Sequence, residues 1–371
     1  MEGLVTAMDD AFGGVYAGRR VLITGHTGFK GSWLALWLSE LGAKVAGYSL
    51  EAPTDPAHWS LLKLPIQETI GDIRDVVELE KMVSAFQPEI VFHLAAQPLV
   101  RESYRIPAET FAANVVGSVN VYEACRKAGS VRAVVSITTD KVYKNREWEW
   151  GYREVDPFGG FDPYSASKAC AEIATESYRD SFWPTSKFGS SHRTLLATAR
   201  AGNVVGGGDW AADRLVPDLM RAAASNGVAT IRNPESTRPW QHVLEPLSGY
   251  LLLGRRLLEG GVEFAEGWNL GPSDDGVVKV RTVVERMAKA WDAVRVEFRP
   301  EANAPHEARL LKLDCSKAKD RLGWKPVWNG LDTVEVTAAW YRAWSERREV
   351  TSRRDIDRYV HDARLAGVAG I

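Results

Sequence analysis

Cysteine is scarce in this chain. Cys125, Cys170 and Cys315 lie far apart among 371 residues. An odd count argues against a disulfide framework, and no pair has zinc-ligand spacing, so no metal is expected. Cys125 and Cys170 fall on expected helices, where they suit small core positions. Net charge is scarce too. There are 46 Lys and Arg against 48 Asp and Glu, for a formal charge of -2. That balance gives no electrostatic reason to expect nucleic acid or a membrane surface as partner. No apolar run approaches the roughly 18 residues of a membrane span. The opening MEGLVTAMDDAFGGVYAG carries acidic residues and lacks a basic start followed by an apolar core. It does not read as a secretory signal, and the expected location is the cytoplasm. Repeats and low-complexity segments are lacking as well. What is there is ordinary for a globular chain, 45% hydrophobic and 25% charged. The length suits two domains, or one large domain with a lobe.

The organising stretch is Arg19–Gly42, RRVLITGHTGFKGSWLALWLSELG. Val21-Leu22-Ile23 suits a buried parallel strand. Gly25, Gly28 and Gly31 punctuate a turn. Ser32–Leu41 is apolar at helical spacing, with Gly42 as its C-cap. Glycines let a backbone approach an anion, and the first free N–H groups of a helix point at it. Strand, glycine turn and helix together predict a dinucleotide phosphate site at Gly25, Thr27, Gly28, Phe29, Lys30 and Gly31. The plain alternative is a tight turn that binds nothing.

Further strands are expected at Lys44–Ser49, within Lys63–Asp72, at Glu89–Leu94, Val131–Ile137 and Thr194–Arg200, alternating with helices. That pattern predicts an α/β protein with a Rossmann-type doubly wound parallel sheet. An acidic residue about 20 residues past the glycines would hold the adenosine ribose. Here the strand end offers Tyr48, Ser49 and Leu50 before Glu51. The position therefore does not choose between NAD and NADP. Asp72, followed by Ile73, either meets the adenine or caps the helix Val76–Phe86, a role open also to Asp75. Leu94, Ala95 and Ala96 are small or apolar residues at a strand end beside the cofactor. His93 reads as a hydrogen-bonded core histidine. Asn114 and Asn120 lie on a long helix over Pro107–Gly129, either exposed or ordering water near a site.

Ligands of open α/β sheets bind outside the carboxyl ends of strands. The fifth strand ends in Thr138-Thr139-Asp140-Lys141. Beyond a loop rich in Gly, Pro and aromatics, Tyr164 and Lys168 sit one turn apart on one helix face. A nearby ammonium favours phenolate. After the sixth strand, AGNVVGGGDW (Ala201–Trp210) marks a change of character, and Arg214, Arg238 and Arg309 follow among Pro, Trp and Asn. Guanidinium forks are what a diphosphate requires, although scattered arginines are also ordinary surface. The expected layout is a tail at 1–18, a dinucleotide domain at 19–203 with 240–270 returning to it, a smaller α/β substrate lobe from 204–239 and 271–350, and a tail at 351–371.

Gly-x-x-Gly-x-x-Gly at Gly25, Gly28 and Gly31, Thr139-Asp140 at a strand end, and Tyr164-x-x-x-Lys168 together resemble the extended short-chain dehydrogenase/reductase family. TGHTGFKGSW, Thr139-Asp140-Lys141, AGNVVGGGDW, RPWQHVL and WNLGP narrow the resemblance to sugar-nucleotide 4,6-dehydratases, over residues 19 to about 328. Lys141, where dTDP-glucose relatives carry Glu, favours the branch that takes CDP-glucose. The resemblance implies NAD, reduced and reoxidised within each turnover. It implies Tyr164 as the base at the sugar 4-hydroxyl, Lys168 lowering its pKa and holding the nicotinamide ribose, so that both residues also meet the cofactor, and Thr139 hydrogen-bonding the oxygen on carbon 4. Asp140 is the implied acid for the departing 6-hydroxyl, and Lys141 the implied base at carbon 5. Asn203 and Arg238 are expected on the diphosphate, with Arg214 and Arg309 as further candidates. A homodimer, or a tetramer, is implied. An epimerase of the same fold needs only Tyr164 and Lys168, so Asp140-Lys141 speaks for a dehydratase. A nucleotide-sensing protein of this fold would typically lack Tyr or Lys.

Overall fold

The computed structural model describes residues 8, 10–211, 214–231, 233–273, 276–299 and 311–371. Seven strands form one sheet: β1 (Arg20–Thr24), β2 (Lys44–Ser49), β3 (Gln67–Ile70), β4 (Ile90–His93), β5 (Ala133–Ile137), β6 (Leu195–Ala201) and β7 (Gly267–Leu270). Their spatial order is β7-β6-β5-β4-β1-β2-β3, and every pairing is parallel. The order reverses between β1 and β4. A crevice opens at such a switch point, outside the strands' carboxyl ends.

The strands are buried on both faces. Val21 and Ile23 of β1 face one core and Leu22 the other. On the first face lie α1 (Phe29–Glu40) and a helix over Leu244–Leu258, with Trp33, Trp37, Leu247 and Leu251 fully covered. On the second lie α2 (Val76–Phe86), α3 (Gly117–Ala128) and α4 (Pro163–Phe182), through Leu79, Val121, Tyr122 and Tyr178. In chain order the helix Leu244–Leu258 is α5. The expected Pro107–Gly129 helix runs through Pro107–Phe111, a wider π turn at Ala112–Val116, and then α3. Gly129 ends it at φ +67.

Asp75, not Asp72, caps α2: its carboxylate accepts from the N–H of Val77 and Glu78. The strand β7 was not among those expected. Its four residues are too short a run to stand out beside Gly and a buried Asn269, yet α5 brings it alongside β6. A smaller region beyond β6 holds helices Leu215–Ala224 and Val280–Ala290. In it Thr237–Pro239 pairs with Val277–Lys279, and Ala229–Ile231 with Val296–Phe298.

Residues 10–18 and 351–371 are not loose tails. Phe12 and Tyr16 are buried, and Phe12 donates its N–H to the Gly370 carbonyl at 2.7 Å. The last helix, Ser352–Leu365, buries Ile356, Tyr359, Val360 and Ala363 in the first core. Its apolar residues fall at spacings of three and four, which makes one buried stripe on a charged helix. Among the described residues no helix is long and apolar enough to cross a membrane.

Candidate active site

The register puts one edge of the sheet to use. Thr24 of β1 lies beside Tyr48 of β2 and His93 of β4, so Gly25 and Leu94 leave the sheet beside Ser49, the last residue of β2. Gly25 has φ +81, and a Cβ there would stand 2.7 Å from the Ala95 nitrogen. A Cβ on Gly31 would stand 2.0 Å from the Gly25 carbonyl oxygen. These two glycines are demanded by backbone meeting backbone. Gly28 is the N-cap of α1, so the N–H groups of Phe29 and Lys30 open the helix toward the turn. Thr27 ties the turn to the end of β2, with its hydroxyl 2.7 Å from Ser49 Oγ and donating to the Leu50 carbonyl at 2.9 Å. Leu94 and Ala95 bond back to Thr24, with Ala96 next.

Other expected cofactor residues sit differently. Asp72 is gripped by Arg74 through bonds of 2.5 to 3.0 Å, which hold its carboxyl below the usual range. Ile73 is buried and packs on Gly117, where a Cβ would meet it at 2.5 Å. His93 is satisfied by Thr24 and Ser118 at 2.7 and 2.9 Å, and burial lowers its pKa to about 3. Asn114 holds the Gln97 backbone and donates to Ser167 Oγ at 2.8 Å, while Asn120 donates to the Ile73 carbonyl. Both asparagines are therefore engaged by protein.

The catalytic candidates converge at the ends of β5 and β6. Thr139 caps a short turn at Asp140–Val142, accepting from the Lys141 N–H at 3.3 Å. Its hydroxyl also donates to Asp140 Oδ1 at 2.9 Å. Asp140 is buried, and that burial raises its carboxyl pKa against the charges of Lys141 and Lys30. Gly202 makes room for it: a Cβ there would lie 2.7 Å from Asp140 Oδ2. Lys141 is half-buried beside it. The helix α4 is capped by Asp162, whose carboxylate accepts from the Ser165 N–H at 2.9 Å and the Ser165 hydroxyl at 2.7 Å. This cap sets Tyr164 and Lys168 facing the strand ends.

Burial pushes the Tyr164 phenol up to about 12, and a hydrogen bond with Thr139 is the largest effect opposing it, with the Arg214 charge further behind. Lys168 is lowered to about 8 by burial, and its ammonium donates to the Ile137 carbonyl at 3.1 Å. This differs from the expectation of a Tyr lowered by its Lys. One helical turn puts the two on one face, but the Lys168 stem is drawn to the strand end.

Lys30 joins the glycine turn to this cluster. Burial lowers its ammonium to about 8, opposed by Asp140 and reinforced by Arg214 and Lys168. Its Nζ reaches the buried Tyr250 hydroxyl at 3.4 Å. Tyr250 on α5 was missed by sequence reasoning, for nothing distinguishes it from a core aromatic.

A cleft beside Asp140 is lined by Gly202, Pro239, Gly271 and Lys312, so it touches the ends of β6 and β7. Lys312 was not singled out, having no motif around it. Asn203 is exposed at the exit of β6. Arg214 is half-buried and pairs with Asp209 at 2.9 Å. The backbone of Arg238 lies in the strand Thr237–Pro239. Arg309 lies outside the described residues. The glycines of AGNVVGGGDW have packing reasons: a Cβ on Gly207 would stand 2.0 Å from the Trp340 ring, and Gly208, at φ +83, backs onto His58.

Residues 22–337, which hold the glycine cradle, the Tyr–Lys helix and the strand-end acid, match the family model for GDP-mannose 4,6 dehydratase. The chain belongs to that family. A family member from Salmonella typhimurium, CDP-glucose 4,6-dehydratase, is 50% identical over 93% of this chain and 97% of its own. The dTDP-glucose 4,6-dehydratase of Streptomyces antibioticus is 26% identical over 88% of this chain and 94% of its own. Among solved structures, UDP-glucose 4-epimerase from Thermotoga maritima superposes with a TM-score of 0.74 at 22% identity, covering 88% of this chain and all of that one. The dTDP-glucose 4,6-dehydratase of Bacillus anthracis, solved in complex with NAD, superposes at 0.71 and 20% identity, covering 88% and 97%.

Proposed function

We propose that the chain is a hydro-lyase that converts CDP-glucose to CDP-4-dehydro-6-deoxyglucose and water, with NAD as a retained cofactor. The observation that carries the reading is Asp140. A buried carboxyl with a raised pKa, hydrogen-bonded to Thr139 beside Tyr164, is what loss of a hydroxyl needs and what an epimerase does not. The 50% identity with a CDP-glucose 4,6-dehydratase supports the choice of sugar nucleotide.

The cradle fits the cofactor. Gly25 and Gly31 leave no room for a Cβ, and the opening N–H groups of α1 suit a diphosphate. Gly25, Thr27, Gly28, Phe29, Lys30, Gly31, Leu94, Ala95 and Ala96 would line it. Bound there, NAD supplies a reversible hydride acceptor for the sugar. Tyr164 takes the proton of the 4-hydroxyl, and Thr139 holds the oxygen on carbon 4. The Lys168 ammonium offsets negative charge at that oxygen. Once carbon 4 is a ketone, the hydrogen on carbon 5 is acidic. Lys141 removes it, and Asp140 gives a proton to the leaving 6-hydroxyl; carbon 6 then takes back the hydride given up by carbon 4, and Lys141 returns its proton to carbon 5. Asn203, Arg214 and Arg238 attend the diphosphate, as does Arg309.

The protein works as a homodimer in the cytoplasm. Val116 on the π turn and Ile173 on α4, each 54% exposed, support a partner on that face. The testing experiment is a panel of CDP-, dTDP-, GDP- and UDP-hexoses, read by the alkaline ultraviolet absorbance of a 4-keto product. CDP-glucose gives the product fastest. NAD binding with no turnover of any sugar nucleotide defeats the reading.

A further inference from the structure

Helix α4 carries a third residue in register with Tyr164 and Lys168. Glu172 lies one turn beyond Lys168 and is 3% exposed. Both carboxylate oxygens are fully used. Oε1 accepts from the Thr138 hydroxyl at 2.5 Å and from Arg200 Nε at 2.8 Å. Oε2 accepts from the Thr198 hydroxyl at 2.7 Å and from Arg200 Nη2 at 3.0 Å. Burial works to raise its pKa, but the Arg200 charge and these bonds leave it lowered, so it stays a carboxylate. Arg200 in turn donates to the Tyr143 hydroxyl at 2.6 Å, and Tyr143 to Asn269 of β7.

Stability alone does not explain such a pair. Desolvating two charges costs about what their attraction returns, and an apolar pair of similar volume would hold these elements together as well. What an apolar pair could not supply is a negative charge one turn from Lys168. Burial strips Lys168 of stability as an ammonium, and Glu172 is the charge that opposes it. The Thr138 hydroxyl bound to Glu172 immediately precedes Thr139, Asp140 and Lys141.

We infer that Glu172 is a positioning residue that keeps Lys168 protonated and seats the Thr138–Lys141 turn against the helix of Tyr164. The inference rests on the ammonium role proposed for Lys168. Other groups around the pair do not replace it. Lys168 is also faced by Lys30 from α1 and by His93 from β4, the first a cation and the second neutral. Glu172 is also faced by Arg179 on its own helix, by Tyr122 from α3, and by Tyr143, whose phenols are pushed upward by burial and stay neutral. That leaves Glu172 as the anion acting on Lys168.

The test is the pH profile of CDP-glucose turnover in wild type, Glu172→Gln and Glu172→Asp. Turnover falls at alkaline pH as Lys168 loses its proton. Removing a neighbouring negative charge lowers an ammonium pKa, so in Glu172→Gln this limb moves down by about half a pH unit or more. The same variant loses about tenfold in kcat with KM little changed. Glu172→Asp keeps the charge and keeps the limb in its wild-type place. A limb that does not move in Glu172→Gln, with only the melting temperature lowered, overturns the inference. If Glu172→Gln does not fold, Thr138→Val decides instead. It must lower kcat with the limb in place, and an unchanged kcat overturns the seating role. Lys168→Met separates the two failures. If it is active, the role given to Lys168 is wrong. If it is inactive while the Glu172→Gln limb stays put, only Glu172 is wrong.

Discussion

At the scale of single residues, burial does most of the chemistry. The same desolvation raises the Asp140 carboxyl and the Tyr164 phenol and lowers the Lys168 and Lys30 ammoniums. Each shift favours the neutral form. For Asp140 that is what an acid requires. For Tyr164 it is a cost, opposed here by Thr139 and Arg214. Lys141 is best tested by separating the two halves of the reaction. Lys141→Ala should still oxidise carbon 4, seen as nicotinamide absorbance near the reduced form, while water release slows by about 10²-fold or more. Release of water at the wild-type rate would remove Lys141 as the base. These residues were legible because each stands at a strand end or at helical spacing in a motif. Glu172, Tyr250 and Lys312 were not, because their meaning comes from partners 26 to over 100 positions away, such as Thr198, Arg200 or the strand-end acid.

Elements place these groups by backbone constraints that a substitution can probe. The turn between β1 and α1 closes only if Gly31 lacks a Cβ, since one would lie 2.0 Å from the Gly25 carbonyl. Overpacking of this kind costs about 1–3 kcal/mol, so Gly31→Ala should weaken NAD binding about tenfold or more by titration. Affinity equal to wild type would show that the turn does not cradle the cofactor. Asp75→Ala, which removes the cap of α2 far from the catalytic cluster, should lower stability by about 1 kcal/mol in denaturant unfolding and leave turnover alone. Strand and helix periodicity predicted six of the seven sheet strands and the main helices within a few residues. β7 escaped because Gly267-Trp268-Asn269-Leu270 earns its place by pairing with β6, which no local pattern encodes.

The whole molecule is closed by its ends. Ser352, which opens the last helix, bonds His58 at 2.8 Å and accepts from the Trp340 indole at 2.9 Å. His58 in turn bonds Ser32 of α1 at 2.8 Å. The segment therefore backs the helix that carries the glycine turn. Each fully buried Ile, Val or aromatic contributes roughly 1.5–3 kcal/mol. Removing Ile356, Tyr359 and Val360 together takes away an amount comparable to a whole protein's margin of about 5–15 kcal/mol. A chain ended after Val350 should be insoluble or melt far lower by circular dichroism, and an unchanged melting temperature would contradict the packing. Alternating charges around Tyr359, His361 and Leu365 make this segment read as a tail with room for a last helix, because its one apolar stripe is narrow.

Sequence alone determined the α/β class, the glycine turn, the strand-end Thr139-Asp140-Lys141 and the Tyr164–Lys168 helix face. All of these are carried by spacing within one strand or helix. Tertiary structure decided what spacing cannot hold. It turned Lys168 to the Ile137 carbonyl, set Asp140 against Gly202, brought Lys30 into the catalytic cluster, and fastened Glu172 to Arg200. Each of those joins residues from different elements. Their protonation depends on burial, which exists only once the sheet and its helices have closed around them.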